Sequence, residues 1–176
     1  MAGPKSNSGF HLGFLRVVEV GDDAFAGGLL VTNHLGRPLE FQCTTPVRPN
    51  RTQAILYGPT LKPFVWSELI GKTLHARVDV KPQLILVDQP ALLELREHIP
   101  APVACLVDGD PRSSELADVT RLQVGRNLLR FHTEFPEDRD IAAAGVERVS
   151  ADADLLEPLE RVTEALRETL RSGSAA

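Results

Sequence analysis

The feature that most constrains this fold is a phrase used twice. "LILVDQPALLEL" begins at Leu84, and "ACLVDGDPRSSEL" follows the same plan, so that Asp108 falls 20 residues after Asp88. Each copy is an apolar run ending in Asp, then a turn containing Pro, then a polar helical start. A strand without polar alternation has both faces covered, and such strands separated by helical sequence make parallel βα units. The chain is thus expected to build an α/β sheet with helices on both sides.

Ahead of these units the rhythm is antiparallel. "LGFLRVVEV" predicts a strand over 12–20 and "GDDAFAGG" a turn. Two strands, 29–33 and 39–45, flank the connection "NHLGRP". Leu39, Phe41 and Cys43 alternate with Glu40, Gln42 and Thr44, so one face of the third strand is wetter. Asn50 is placed to cap a helix starting at Arg51; Pro59 and Pro63 interrupt it, and helical spacing resumes with Phe64, Val65, Leu69, Ile70 and Leu74. "NLLRFHTEF" reads as a further strand and "PEDRDIAAAG" as a loop or short helix. From Pro158 to Arg171 the stripe Leu159, Val162, Leu166 and Leu170 marks an amphipathic helix. The order β-β-β-α-β-α-β-(β)-α predicts a mixed sheet, α/β with α+β as the alternative, in ribonuclease-H-like order. That analogy concerns architecture and carries no function by itself. One globular domain is expected over 10–171, with a disordered tail at 1–9 and a frayed end at 172–176.

Composition bounds the function. Hydrophobic residues make up 43% of the 176, enough for a real core, whereas aromatics are only 5%, which argues against a platform for stacking bases. No run is long and apolar enough to span a membrane, and a reducing cytoplasm suits the two cysteines, each in an apolar run. The net charge of −5 makes nucleic acid an unlikely partner. Charge is nevertheless uneven: six basic and two acidic residues lie between Arg48 and Lys81, but eleven acidic and four basic between Glu134 and Glu168.

Two places could carry chemistry. Asp88 and Asp108 end adjacent parallel strands, the edge where open α/β sheets hold ligands, and Glu19 lies near the end of the first strand. Carboxylates converging there could hold Mg²⁺ and drive phosphodiester cleavage; otherwise no cofactor is expected. The plainer reading of Asp88 and Asp108 is helix capping. A carboxylate from the last helix would also be needed, and its candidates, Asp154 and Glu157, are already explained by the helix start. The five histidines form no pair at ligand spacing, no HExxH, CxxC or GxSxG occurs, and Cys43 has no adjacent base. The second place is the corner around Thr45, Arg48, Asn50 and Arg51, where paired guanidinium groups beside a helix start could bind a phosphate or carboxylate.

The run "GRPLEFQCTTPVRPNRTQAILYGPTL", with "LILVDQP" and "LRFHTEFPED" more loosely, resembles a family of bacterial proteins without assigned function. The resemblance covers about a third of the chain and implies no activity. Three readings result. The first is a non-catalytic cytoplasmic protein that binds a partner protein or serves as an assembly subunit, a homo-oligomer included. The second is a metal-dependent phosphodiester-cleaving enzyme using Glu19, Asp88 and Asp108. The third is a small-anion-binding regulatory domain centred on Arg48 and Arg51.

Overall fold

The computed structural model describes residues 9–107 and 120–174. Seven strands form one mixed sheet: β1 (Leu12–Val20), β2 (Ala24–Thr32), β3 (Pro38–Cys43), β4 (Leu84–Val87), β5 (Val103–Val107), β6 (Arg121–Val124) and β7 (Asn127–Phe131). Their order across the sheet is β3-β2-β1-β4-β5-β7-β6. β1, β2 and β3 pair antiparallel, β4 runs parallel to β1, and β5 runs parallel to β4. The expected meander and two parallel strands are therefore present, in ribonuclease-H-like order.

Two differences from the expected elements have clear causes. β2 starts at Ala24, not Leu29, because Gly21 and Asp23 both take positive φ (57° and 61°) and reverse the chain within three residues. The small residues that follow then fill a strand buried along its whole length. Gly27 and Gly28 are what allow this. A Cβ at Gly27 would come within 2.1 Å of Ile70 on one face, and a Cβ at Gly28 within 3.0 Å of Val162 on the other. The second difference is the β6–β7 hairpin, of which only β7 was legible; β6 is four residues of mixed polarity at the sheet margin.

Helices cover both faces. On one side α1 (Arg51–Tyr57) leads through a 3-10 turn into α2 (Leu61–Pro63), a π-helical stretch Phe64–Gly71, and α3 (Lys72–Arg77). The chain stays helical across Pro63, and the wide π turns follow directly on this residue that has no N–H to donate. Val65, Ile70 and Leu74 pack there with Leu15, Val17, Leu29, Ile85 and Val87. A 3-10 segment, Pro90–Glu97, follows β4 on this side and adds Leu92 and Leu95. On the other face lie α4 (Asp138–Gly145) and α5 (Leu156–Ser174), which pack Ala142, Leu159, Val162 and Leu166 against Phe14, Leu30, Leu84 and Leu86. Leu170, the last member of the expected stripe, is only half-buried, and α5 extends to Ser174, into the stretch read as frayed. Residues 1–8 of the expected disordered tail lie outside the described residues. None of the described helices is long and apolar enough to cross a membrane.

Candidate functional site

β1 carries one cation inside an otherwise apolar stretch, Arg16. Side chains alternate along a strand, so Phe14 and Arg16 face α5 while Leu15 and Val17 face the π-helical side. The parallel register pairs Phe14 with Leu86, which brings Asp88, two residues further on, level with Arg16 on the same face. The two meet as a fork: the Arg16 Nε–H donates to Asp88 Oδ1 at 3.2 Å, and Nη2 donates to Oδ2. Arg16 Nη1 also donates to Thr163 Oγ1 at 2.9 Å and to the Leu159 carbonyl at 3.3 Å, both on α5. One guanidinium thus ties the middle of β1 and the end of β4 to the helix above them. Its side chain is 21% exposed and that of Asp88 18%. Planar delocalised charge suits this bidentate role as an ammonium would not.

The next residue extends the seam. Gln89 accepts from the Val17 N–H through Oε1 at 2.9 Å and donates from Nε2 to the Val17 carbonyl at 2.9 Å. Its amide imitates a strand rung where β4 has already ended. Arg16, Gln89 and Thr163 were not singled out in the sequence. A lone Arg in an apolar strand was the available signal, since a largely buried charge needs a partner.

The carboxylates named from the sequence are distributed otherwise. Asp88 stands at the strand end as expected, but bonded to Arg16. Glu19 sits three residues beyond Arg16 and so emerges on the opposite face, where it reaches Lys62 Nζ at 3.2 Å with both groups largely exposed. Asp108 lies outside the described residues. On the α5 side Asp154 caps the helix start, accepting from the Leu156 N–H at 2.9 Å, and Glu157 pairs with Arg161 at 3.0 Å.

The corner is built as its residues suggest. Asn50 accepts from the Gln53 N–H at 2.8 Å, while Gln53 accepts in return from the Asn50 N–H at 3.0 Å, a reciprocal cap. Arg48 and Arg51 are exposed and border a cleft of about 510 Å³ with Asp23, Phe25 and Lys62. Thr45 lines a different cleft, of about 640 Å³, with Cys43, Pro46, Leu170 and Arg171. The bridge between Phe25 and Val47 lies between the two. Arg167 and Arg171 border the far side of the β1–β2 turn beside Val18–Gly21. Basic groups therefore flank the projecting hairpin end from both helical layers.

Titration of the remaining groups argues against a thiol nucleophile. Burial pushes the Cys105 thiol up to about 11, against a lowering by Arg130 and with a further small rise from Asp88. Its Sγ donates to the Leu106 carbonyl at 3.4 Å. Cys43 is half-buried in β3.

The described side chains do not fit a divalent metal at this edge. Mg²⁺ takes oxygen ligands in near-octahedral geometry, usually from carboxylates. Here both oxygens of Asp88 already face a guanidinium, α5 supplies a hydroxyl rather than a carboxylate, and Glu19 is on the other face. Among the described residues no three His, Cys, Asp or Glu side chains group to hold an ion.

No protein-family model matches this chain, and neither does any curated protein. Solved structures do. An endonuclease V from Ciona intestinalis, in complex with a 24mer DNA containing an inosine followed by a ribo-adenosine, is 12% identical with a TM-score of 0.55, over 94% of this chain and 87% of that one. The D234N form of that protein with a 23mer DNA gives a TM-score of 0.53 at 11% identity, over 94% and 87%. Human ENDOV is 15% identical with a TM-score of 0.51, over 97% and 87%. The shared feature is the fold. These likenesses correct two expectations from the sequence. The reading as a non-catalytic protein-binding or assembly subunit is set aside, because the fold neighbours are endonucleases. Nucleic acid is no longer the unlikely partner, because two of those neighbours hold DNA. Net charge is a poor guide to such a partner, because −5 is a sum over the chain, whereas nucleic-acid binding responds to a local field.

Proposed function

We propose that this chain acts on nucleic acid, holding a phosphodiester strand across the projecting end of the β1–β2 hairpin, beyond the point where β4 ends. The observation that supports it most is the near full-length likeness to endonuclease V bound to DNA, over 94% of this chain. Arg48, Arg51 and Lys62 on one side of the β1–β2 turn, with Arg167 and Arg171 on the other, supply the charge a phosphate backbone requires. Phosphate contacts of this kind position a strand without reading its bases, which agrees with the scarcity of aromatic residues. Of the readings taken from the sequence, phosphodiester cleavage is the one this substrate belongs to. The Arg16–Asp88 pair offers no route through a metal, so no metal-borne step is assigned.

The test is fluorescence anisotropy with a labelled 24mer DNA containing one inosine, beside the same strand carrying adenosine, each single-stranded and duplex. Binding in the range of about 10⁻⁶ to 10⁻⁴ M that weakens steeply with salt is expected for backbone-directed contacts. The double variant Arg48→Ala/Arg51→Ala should lower both the affinity and the salt slope. No binding to any of the four probes at 50 mM salt and about 100 μM protein would refute the proposal. Gel analysis of the same mixtures with and without Mg²⁺ reads cleavage directly.

A further inference from the structure

We infer that Arg16 is a resident cation in the place beside Asp88 that a metal ion could take, so that the described residues of the β1–β4 seam are joined without a divalent metal and do not bind one. The strand ends of an open α/β sheet are where ligands gather, and a partly buried carboxylate such as Asp88 is favoured by a positive charge beside it. In this chain that charge is covalent. The register places Arg16 level with Asp88, and the fork occupies both carboxylate oxygens. The remaining terminal nitrogen points to α5, bonding the Thr163 hydroxyl and the Leu159 carbonyl. A metal joining strand ends to a helix would draw its ligands from these same three elements. One planar group, itself carried by β1, already bonds the other two. The amide of Gln89 is held at the next rung through both its oxygen and its nitrogen, which fixes it against β1. An arriving Mg²⁺ would meet a fixed positive charge bonded to the ligand it needs, and like charges at such range disfavour binding.

The inference goes beyond the proposed function and does not depend on it, since its readout involves no nucleic acid. Mn²⁺ is titrated into the intact protein and followed by electron paramagnetic resonance of the free ion, with calorimetry for Mg²⁺. The wild type is expected to show no saturable site that depends on Asp88, so that wild type and Asp88→Asn give the same titration and the same Tm response at matched ionic strength. Arg16→Asp, which places a second carboxylate beside Asp88, should acquire a Mn²⁺ site and a Tm that rises with Mn²⁺. That site should vanish in the double variant Arg16→Asp/Asp88→Asn. The wild-type titration decides the matter even if Arg16→Asp does not fold. A saturable site in the wild type, lost on Asp88→Asn, would overturn the inference.

Discussion

Replacing Asp88 by Ala tests how much of the strand-end architecture depends on the Arg16 fork. Two unit charges about 4 Å apart attract by roughly 4 kcal/mol at the effective dielectric of a partly buried site, before solvent competition is counted. An exposed ion pair contributes about 0–1 kcal/mol, and breaking a fully buried one costs about 3–5 kcal/mol. With the Arg16 and Asp88 side chains 21% and 18% exposed, the pair lies nearer the buried limit. Thr163 and the Leu159 carbonyl still accept from Nη1 after the change, so the guanidinium is not left without partners. The cost of Asp88→Ala should therefore be about 2–3 kcal/mol, or a Tm lower by roughly 5–10 °C for a domain of this size. Urea unfolding of the wild type, Asp88→Ala, Arg16→Met and the double variant gives the coupling between the two side chains. About 1.5–3 kcal/mol is expected, with the double variant less destabilised than the sum of the singles because no charge is then left behind. A coupling below about 0.5 kcal/mol would refute the reasoning, since it would mean that water solvates both groups and the fork pins nothing.

Gly27→Ala should destabilise by about 1–3 kcal/mol or more, because its Cβ would fall 2.1 Å from the Ile70 side chain; chemical denaturation checks this. Leu166→Ala, in a position buried against the sheet, should cost about 2–5 kcal/mol by the same method. Glu40 is held below the ordinary carboxylate range by the Val80 N–H, and also by the Asp79 N–H, Gln42 and Lys81, against the raising effect of burial. Its stabilisation is therefore present above the unfolded carboxylate value and lost as pH falls through the lower folded one, so Glu40→Gln should flatten the acid limb of a Tm-versus-pH curve. His75 is lowered chiefly by burial and adds a loss of the same sign as pH drops below the ordinary histidine range.

Much of the architecture was legible in the sequence. The two apolar runs ending in Asp88 and Asp108 announced parallel strands, because burial on both faces leaves no room for alternation. Asn50 marked a helix start through N–H groups that must be satisfied at a first turn, whereas the last helix begins at Leu156, two residues ahead of the Pro158 that the sequence suggested. The site was legible only in part, and the reason is the period of two. Counting alternate residues from Phe14 puts Arg16 beside Asp88 and sends Glu19 to the other face, but that count needs the register of β1 against β4, which is a tertiary fact. Arg16 itself was visible as the one cation in "FLRVVEV"; the identity of its partner, 72 residues away, was not. The basic rim was hidden for a similar reason. Arg48 and Arg51 lie far along the chain from Arg167 and Arg171, and only folding sets them on two sides of one hairpin.

Where a nucleic acid strand touches this molecule decides whether the hairpin end is the binding face. A single-stranded oligonucleotide substituted with bromouracil, irradiated in complex with the wild-type protein and mapped by mass spectrometry of the proteolysed adducts, measures this directly. Adducts are expected in peptides containing 18–23, 43–51 and 167–173, around the end of β1. Adducts concentrated instead at the opposite end of the sheet, around His34–Arg37 and Arg148–Asp154, would contradict the account.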